Sequence, residues 1–223
     1  MFEIRNLTKS YWTPNGRKII FRNLSLTVPP GRNIALIGRN GAGKSTLMRL
    51  LAGVDAPDSG SVVTDKSISW PVGQAGGFQT SMTGRDNVKF VCRVYGKTGS
   101  EMSRVIKYVE DFAEIGDWFY EPIRAYSSGM RARIAFGLSM AFDFDYYLID
   151  EVMSAGDAQF RLKCVEVFKE KLQHANILLT THNMSEVERL CDLVLLVKKD
   201  ESGKTSQITA YEDVAEGIAA YKS

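Results

Sequence analysis

Cysteine is scarce in this chain, with three in 223 residues, at Cys92, Cys164 and Cys191. An odd number at wide spacing makes neither a disulfide framework nor a metal-ligand set, so these read as reduced thiols of a cytosolic protein. An excess of one charge sign is also missing. Lys and Arg number 28 against 26 Asp and Glu, a net +2 spread along the chain, which gives no electrostatic ground for a nucleic-acid partner. No run of about 18 apolar residues appears, so no membrane-spanning helix is expected. The opening MFEIRNLTKSYW lacks the basic segment and apolar core of a secretory signal, and the chain is expected to stay in the cytosol. Internal repeats and low-complexity tracts are likewise absent.

What is present is a globular composition, 44% hydrophobic, enough to bury a sizeable core. The runs RNIALIG, DYYLID, NILLTTH and DLVLLV read as buried strands, most of them separated by helix-length segments. That alternation predicts an α/β fold with a mainly parallel sheet. The first thirty residues differ: FEIRNLT and NLSLTV flank the turn-rich TPNGR, which predicts a small antiparallel β layer. From about Ser81 to Arg133 the pattern turns helical, with Val88, Val91, Val94 and Tyr95 on one face and Val105, Ile106, Val109 and Phe112 on another. The organisation expected is one domain over 1–223 with a helical subdomain, 80–135, inserted in it. YEDVAEGIAAYKS reads as a closing helix.

Gly38-Arg39-Asn40-Gly41-Ala42-Gly43-Lys44-Ser45 fits the phosphate-loop pattern G-x-x-x-x-G-K-[ST], after a predicted strand and at the start of the helical STLMRLLAG. Glycines let backbone N–H groups turn toward phosphates, the helix start adds positive potential, and Lys44 reaches the β- and γ-phosphates. The Ser45 hydroxyl is placed to ligate Mg²⁺, and Thr46 adds a donor. The strand YYLID ends at Asp150, where ligands bind parallel sheets, so Asp150 is the candidate Mg²⁺-side carboxylate. Glu151 follows it and is the candidate general base, orienting a water and accepting its proton. Either acid alone also reads as a helix cap or a solvated loop charge.

His182 lies at the end of NILLTT, a third strand end, where an imidazole reaches a γ-phosphate or the attacking water. His174 reads instead as a surface or helix-end residue. Gln79, at the start of the helical insertion, is a candidate contact to Mg²⁺ or water and a sensor of the γ-phosphate; standing alone it would be a plain loop glutamine. Tyr11 either stacks on a purine or covers the core.

The stretch AYSSGMRARIAFGLSM places two capping serines and a glycine before a basic, apolar helix. Ser127, Ser128 and Gly129 therefore make a second anion site, or Ser127 merely caps a core helix. One nucleotide needs one phosphate loop, so the second site is expected to face a phosphate held by another copy in a two-fold dimer.

Phosphate loop, glutamine loop, YSSGM, YYLIDE, SAGD and TTH together, over nearly the whole chain, resemble the ATP-binding-cassette ATPases. The resemblance implies a P-loop NTPase that binds ATP and Mg²⁺, with Ser45, Gln79 and Asp150 on the metal side and Ser127, Ser128 and Gly129 on the partner's ATP. The family pattern L-S-G-G-Q becomes Tyr126-Ser127-Ser128-Gly129-Met130, and S-A-L-D becomes Ser154-Ala155-Gly156-Asp157, in which Asp157 links the two sites across the dimer. SWPVGQAGGFQTSMTGRDNVKF, YSSGMRAR and GLSMAFDFDYYLIDEV are more narrowly similar to ATP-binding subunits of Gram-negative capsular-polysaccharide exporters. That likeness implies a homodimer on the cytoplasmic side of the inner membrane, held there by two copies of an integral-membrane permease. Periplasmic and outer-membrane export components would be reached only indirectly, and no nucleic acid is involved. Exporters of O-antigen often carry an added C-terminal carbohydrate-binding domain, whereas this sequence closes at Ser223. An O-antigen or teichoic-acid exporter subunit and a soluble non-transport cassette ATPase remain the alternatives.

Overall fold

The structure is a computed structural model that describes residues 2–73, 77–150 and 158–223. Its strands are β1 (Phe2–Thr13), β2 (Gly16–Val28), β3 (Ile34–Gly38), β4 (Ser59–Thr64), β5 (Ile68–Pro71), β6 (Tyr146–Asp150), β7 (Asn176–Thr180), β8 (Leu193–Lys199) and β9 (Ser206–Tyr211). Its α-helices are α1 (Lys44–Leu51), α2 (Gly84–Val94), α3 (Gly99–Ala113), α4 (Ser128–Met140), α5 (Ala158–Lys171), α6 (Met184–Leu190) and α7 (Val214–Lys222). They form two compact units.

The first unit, Met1–Pro71, Phe144–Glu151 and Ala175–Ser223, holds one sheet in the order β4-β1-β2-β9-β8-β3-β7-β6-β5. The run β8-β3-β7-β6-β5 is parallel, so the strand ends that carry Gly38, Thr180 and Asp150 share one edge. β3 is buried at every residue, as a strand covered on both faces must be. The expected antiparallel layer exists as the β1–β2 hairpin with β4 on its outer side. It is continuous with the parallel core, joined where Phe21 of β2 lies opposite Ser206 of β9. Helix α1 presses Leu47, Met48, Leu50 and Leu51 into a core shared with Ile34, Leu36, Leu178 and Leu195, each such side chain contributing about 1.5–3 kcal/mol by leaving water. The closing helix α7 starts at Asp213, whose carboxylate accepts from the Ala215 and Glu216 N–H groups.

The second unit, Val72–Asp143 and Val152–His174, is helical. Its centre is aromatic: Phe112 meets Phe136 at 5.7 Å and Phe160 at 5.4 Å between ring centroids. Val105, Val109 and Phe112 turn inward from α3, on the face read from the sequence. Helix α2 buries Val88 but leaves Val94, its last residue, 66% exposed. Cys92, Cys164 and Cys191 are all buried free thiols, and burial pushes Cys191 up to about 12.

Candidate phosphate-binding site

In the first unit, β3 runs straight into the phosphate loop. Gly43 sits at φ 107, and a Cβ there would lie 2.8 Å from Ile20 Cγ2 and 3.0 Å from Phe21 Cζ. Only glycine meets both the left-handed backbone and the close approach to β2. Helix α1 then begins at Lys44 with no side-chain cap and no acid in its first turn, which leaves its positive end to an anion. The Lys44 ammonium donates to the Gly38 carbonyl at 2.7 Å and the Arg39 carbonyl at 3.4 Å, so the lysine folds over the loop. Asn40, Gly41 and Ser45 are exposed, and Ala42 and Thr46 are buried. A cavity of about 340 Å³ flanks the loop, lined by Arg39, Asn40, Lys198, Lys199 and Tyr221 among others.

Two strands supply the remaining groups of this edge. Asp150 ends β6 directly opposite Thr180 of β7, and the Thr180 hydroxyl donates to Asp150 Oδ1 at 2.6 Å. His182 is exposed two residues beyond β7. Between them Thr181, buried, donates to Glu186 Oε2 and accepts from the Asn183 N–H, both at 3.0 Å, which fixes the turn carrying His182 into α6. Since β7 lies between β3 and β6, with neighbouring strands about 4.8 Å apart, the phosphate loop, His182 and Asp150 line one short stretch of the sheet edge. Among the described residues no group of three His, Cys, Asp or Glu side chains is placed to hold a metal. Mg²⁺ binds through one or two protein oxygens together with phosphates and waters, and Ser45, which is exposed, and Asp150, at the end of β6, carry oxygens of that kind. Glu151 and Asp157 lie outside the described residues.

Tyr11 is partly buried and packs against the core. Its hydroxyl donates to Asp55 Oδ2 at 2.6 Å and accepts from Arg49 at 3.2 Å. The Lys9 ammonium stands 4.9 Å from its ring centroid, and the ring packs against the core. The hydroxyl is thus anchored beside the last turn of α1, and the ring remains half-buried. Burial lifts the Asp55 carboxyl, but hydrogen bonds from Lys9 and Tyr11 and the nearby charges of Lys9 and Arg49 outweigh it and hold the group below the usual range.

In the second unit Ser127 is the N-cap of α4, its Oγ accepting from the Met130 N–H at 3.1 Å. The capping role is therefore real, and the hydroxyl hydrogen stays available to an acceptor. Ser127, Ser128, Gly129 and Met130 line a cleft of about 590 Å³ together with Trp118 and Arg133. The Gln79 side chain is exposed, while its backbone is gripped by Asn87, which accepts from the Gln79 N–H at 2.7 Å and donates to its carbonyl at 3.1 Å. Sequence reasoning missed Thr180, Asp55 and Asn87. Only Thr180 left a trace, as a hydroxyl at the end of a strand beside the one ending in Asp150.

A phosphate loop on a mixed sheet, with an acid and a histidine at neighbouring strand ends and a helical unit bearing YSSGM, defines an ATP-binding-cassette protein. The chain belongs to the ABC transporter family, whose model matches residues 21–154. Over its whole length it is 51% identical to the polysialic acid transport ATP-binding protein KpsT of Escherichia coli, covering 96% of that protein. It is 39% identical, again over its whole length and 99% of the relative, to the capsule polysaccharide export ATP-binding protein CtrD of Neisseria meningitidis serogroup B. The narrower resemblance drawn from the motifs is borne out by these relatives. The fold matches, with a TM-score of 0.70 at 19% identity, a dimeric post-hydrolysis structure of the ATP-binding cassette MJ0796 bound to ADP and Pi, over 95% of this chain and 98% of that one.

Proposed function

We propose that this chain is the ATP-binding and hydrolysing subunit of an exporter that drives glycolipid-linked capsular polysaccharide across the inner membrane. The observation that carries the ATPase reading is the shared sheet edge, where the phosphate loop, Asp150 and His182 stand on three adjacent parallel strands. Full-length likeness to KpsT supports the cargo. No described helix is long and apolar enough to cross a membrane, so the path for cargo belongs to a separate permease, present in two copies beneath which two copies of this chain dimerise.

The loop backbone and Lys44 hold the phosphates, with Gly38, Asn40, Gly41, Ala42, Gly43, Ser45 and Thr46 completing the cradle and Tyr11 on the base side. Ser45, Asp150 and Gln79 would hold Mg²⁺, which neutralises phosphate charge when bound. Glu151 orients the attacking water and takes its proton, and His182 donates to the γ-phosphate. Ser127, Ser128 and Gly129 of one copy close on the nucleotide of the other, contacts that exist only in the closed dimer; hydrolysis removes them and the dimer opens. Asp157 links the two sites. Exposed Phe90, Val94 and Tyr95 on and just after α2 give the permease an apolar foothold within residues 82–95.

The test is the Glu151→Gln variant beside wild type, each with and without co-expressed permease. It should bind ATP, hydrolyse it about 10²–10⁴-fold more slowly and accumulate a dimer that the permease stabilises. Normal turnover would place the general base elsewhere. A monomer indifferent to ATP and permease would remove the transport motor.

A further inference from the structure

The cavity beside the phosphate loop opens over the end of β8. Side chains alternate along that strand: Leu195 and Val197 join the core that α1 packs on, while Val194 lies under α7, where a Cβ on Gly217 would stand 2.7 Å from the Val194 Cβ. Leu196 and Lys198 therefore share the α7 face. Helix α1 and Lys44, assigned above to a nucleotide's phosphates, belong to the other face, and Lys44, Thr180, Asp150 and His182 do not line the cavity. Its volume of about 340 Å³ lies within the range of small-molecule sites.

The side-chain charge around it is of one sign. Arg39, Lys198 and Lys199 line it, all three are exposed, and none forms an ion pair with a described carboxylate. Lys198 reaches only the Ser223 hydroxyl, at 3.5 Å. Asp200, the neighbouring acid, is taken up by its own turn, its carboxylate accepting from the Ser202 hydroxyl at 2.8 Å and the Thr205 hydroxyl at 2.6 Å. Partial burial, and then the charge of Lys18, push the Lys199 ammonium below its usual range, and Asp200 offsets only part of this. Against these cations the end of α7 sets roughly half a negative charge. A cleft lined by one sign concentrates counter-ions.

The donors are also varied. Arg39 offers the planar fork that matches phosphate oxygens. Tyr221, half-buried at the cavity, has a hydroxyl with no hydrogen-bond partner among the described residues. Leu196 and Ala42 supply an apolar wall. We propose that this cavity is a second anion site, separate from the nucleotide site, that takes a phosphate monoester: Arg39, Lys198 and Lys199 hold the dianion, Tyr221 donates to one of its oxygens, and the apolar wall covers the organic group. Arg39 lies within the phosphate loop, so a ligand here adds negative charge beside the nucleotide's phosphates, and the two ligands weaken each other's binding reciprocally.

A soluble ester such as glycerol 3-phosphate and the headgroup of phosphatidic acid present the same chemistry. Glycerol 3-phosphate is first titrated calorimetrically into the full-length chain saturated with Mg-ADP. Wild type should bind one per chain, and both Tyr221→Phe and the double variant Lys198→Gln, Lys199→Gln should bind at least about tenfold more weakly. No binding, undiminished binding in the double variant, equal affinity for the dianion succinate, or binding seen only without ADP overturns the site. The ligand should also raise the ADP dissociation constant severalfold in wild type and leave it unmoved in the double variant; an unmoved wild type overturns the link to the loop. Sedimentation with phosphatidylcholine vesicles carrying phosphatidic acid or, at matched charge, phosphatidylserine separates the sources. Retention by phosphatidic acid alone, lost in the double variant, assigns the site to a lipid headgroup, and soluble binding without retention assigns it to a free ester. Equal retention by both lipids exposes a plain basic patch and overturns the phosphate-monoester reading.

Discussion

Thr180 donates to Asp150 at 2.6 Å across the paired ends of β7 and β6. The bond occupies one carboxylate oxygen and fixes the side chain's orientation, from a donor that is fully buried. Thr180→Val keeps the shape and removes the donor, at a cost of about 1.5–3 kcal/mol for a hydrogen bond to a charged group. Turnover should drop about tenfold, and half-saturation in Mg²⁺ should move upward, both read from one ATPase titration. An unchanged Mg²⁺ dependence would take Asp150 off the metal side.

Lys44 braces the loop through the Gly38 and Arg39 carbonyls before any phosphate arrives. Lys44→Ala removes that brace together with the charge proposed to meet the β- and γ-phosphates. Equilibrium binding should show most ATP affinity lost while the melting temperature changes little, since the ammonium lies at a half-buried position. Wild-type hydrolysis in this variant would exclude Lys44 from the site.

Ser127→Asp separates capping from anion recognition. Aspartate caps a helix as well as serine does, so α4 should keep its start and the protein its melting temperature. Its charge repels a phosphate, so ATP-dependent dimerisation in the Glu151→Gln background should disappear, checked by size-exclusion chromatography with light scattering. A dimer that survives would leave Ser127 as a cap alone.

Asp55 sets an acid limit on the first unit. Its folded carboxyl lies below the usual range, so its contribution is whole above the unfolded value near about 3.9 and drains as pH falls from there through the folded value. Asp55→Asn should lower the melting temperature at neutral pH and flatten its decline below about pH 4; an identical acid limb in both proteins would dissociate Asp55 from that decline. Tyr11→Phe, which deletes only the hydroxyl, should lower the melting temperature and spare nucleotide binding. Tyr11→Ala should also weaken ATP binding by about 1–3 kcal/mol if the ring stacks on the base, and unchanged affinity would assign the ring to packing.

The parallel core was legible because β3, β6, β7 and β8 are nearly continuous apolar runs, the signature of strands covered on both faces. Strands β4, β5 and β9 escaped for a matching reason: Ser59–Thr64 has no buried residue, Ile68–Pro71 is four residues long, and Ser206–Tyr211 is polar at most positions. The placement of the phosphate loop, Asp150 and His182 at neighbouring strand ends could be read because it follows directly from apolar runs that stop at those residues. The bonds of Tyr126 to Trp118, Tyr11 to Asp55 and Thr180 to Asp150 could not, since each depends on a register or a packing distance that spacing along the chain does not encode.

The sheet of the first unit also carries a seam. Between β2 and β9 the described ladder has a single register position, Phe21 opposite Ser206, and the buried Ser206 hydroxyl there has no hydrogen-bond partner. What binds the N-terminal hairpin to the parallel strands is thus chiefly the shared apolar core, in which Phe2, Leu7 and Phe21 meet Leu193, Leu195 and Val197. Apolar contact resists separation but tolerates sliding. Under a pulling force the hairpin should shear along this seam before any parallel strand lets go, and in cold solution, where apolar attraction weakens, the same line should be the first to loosen.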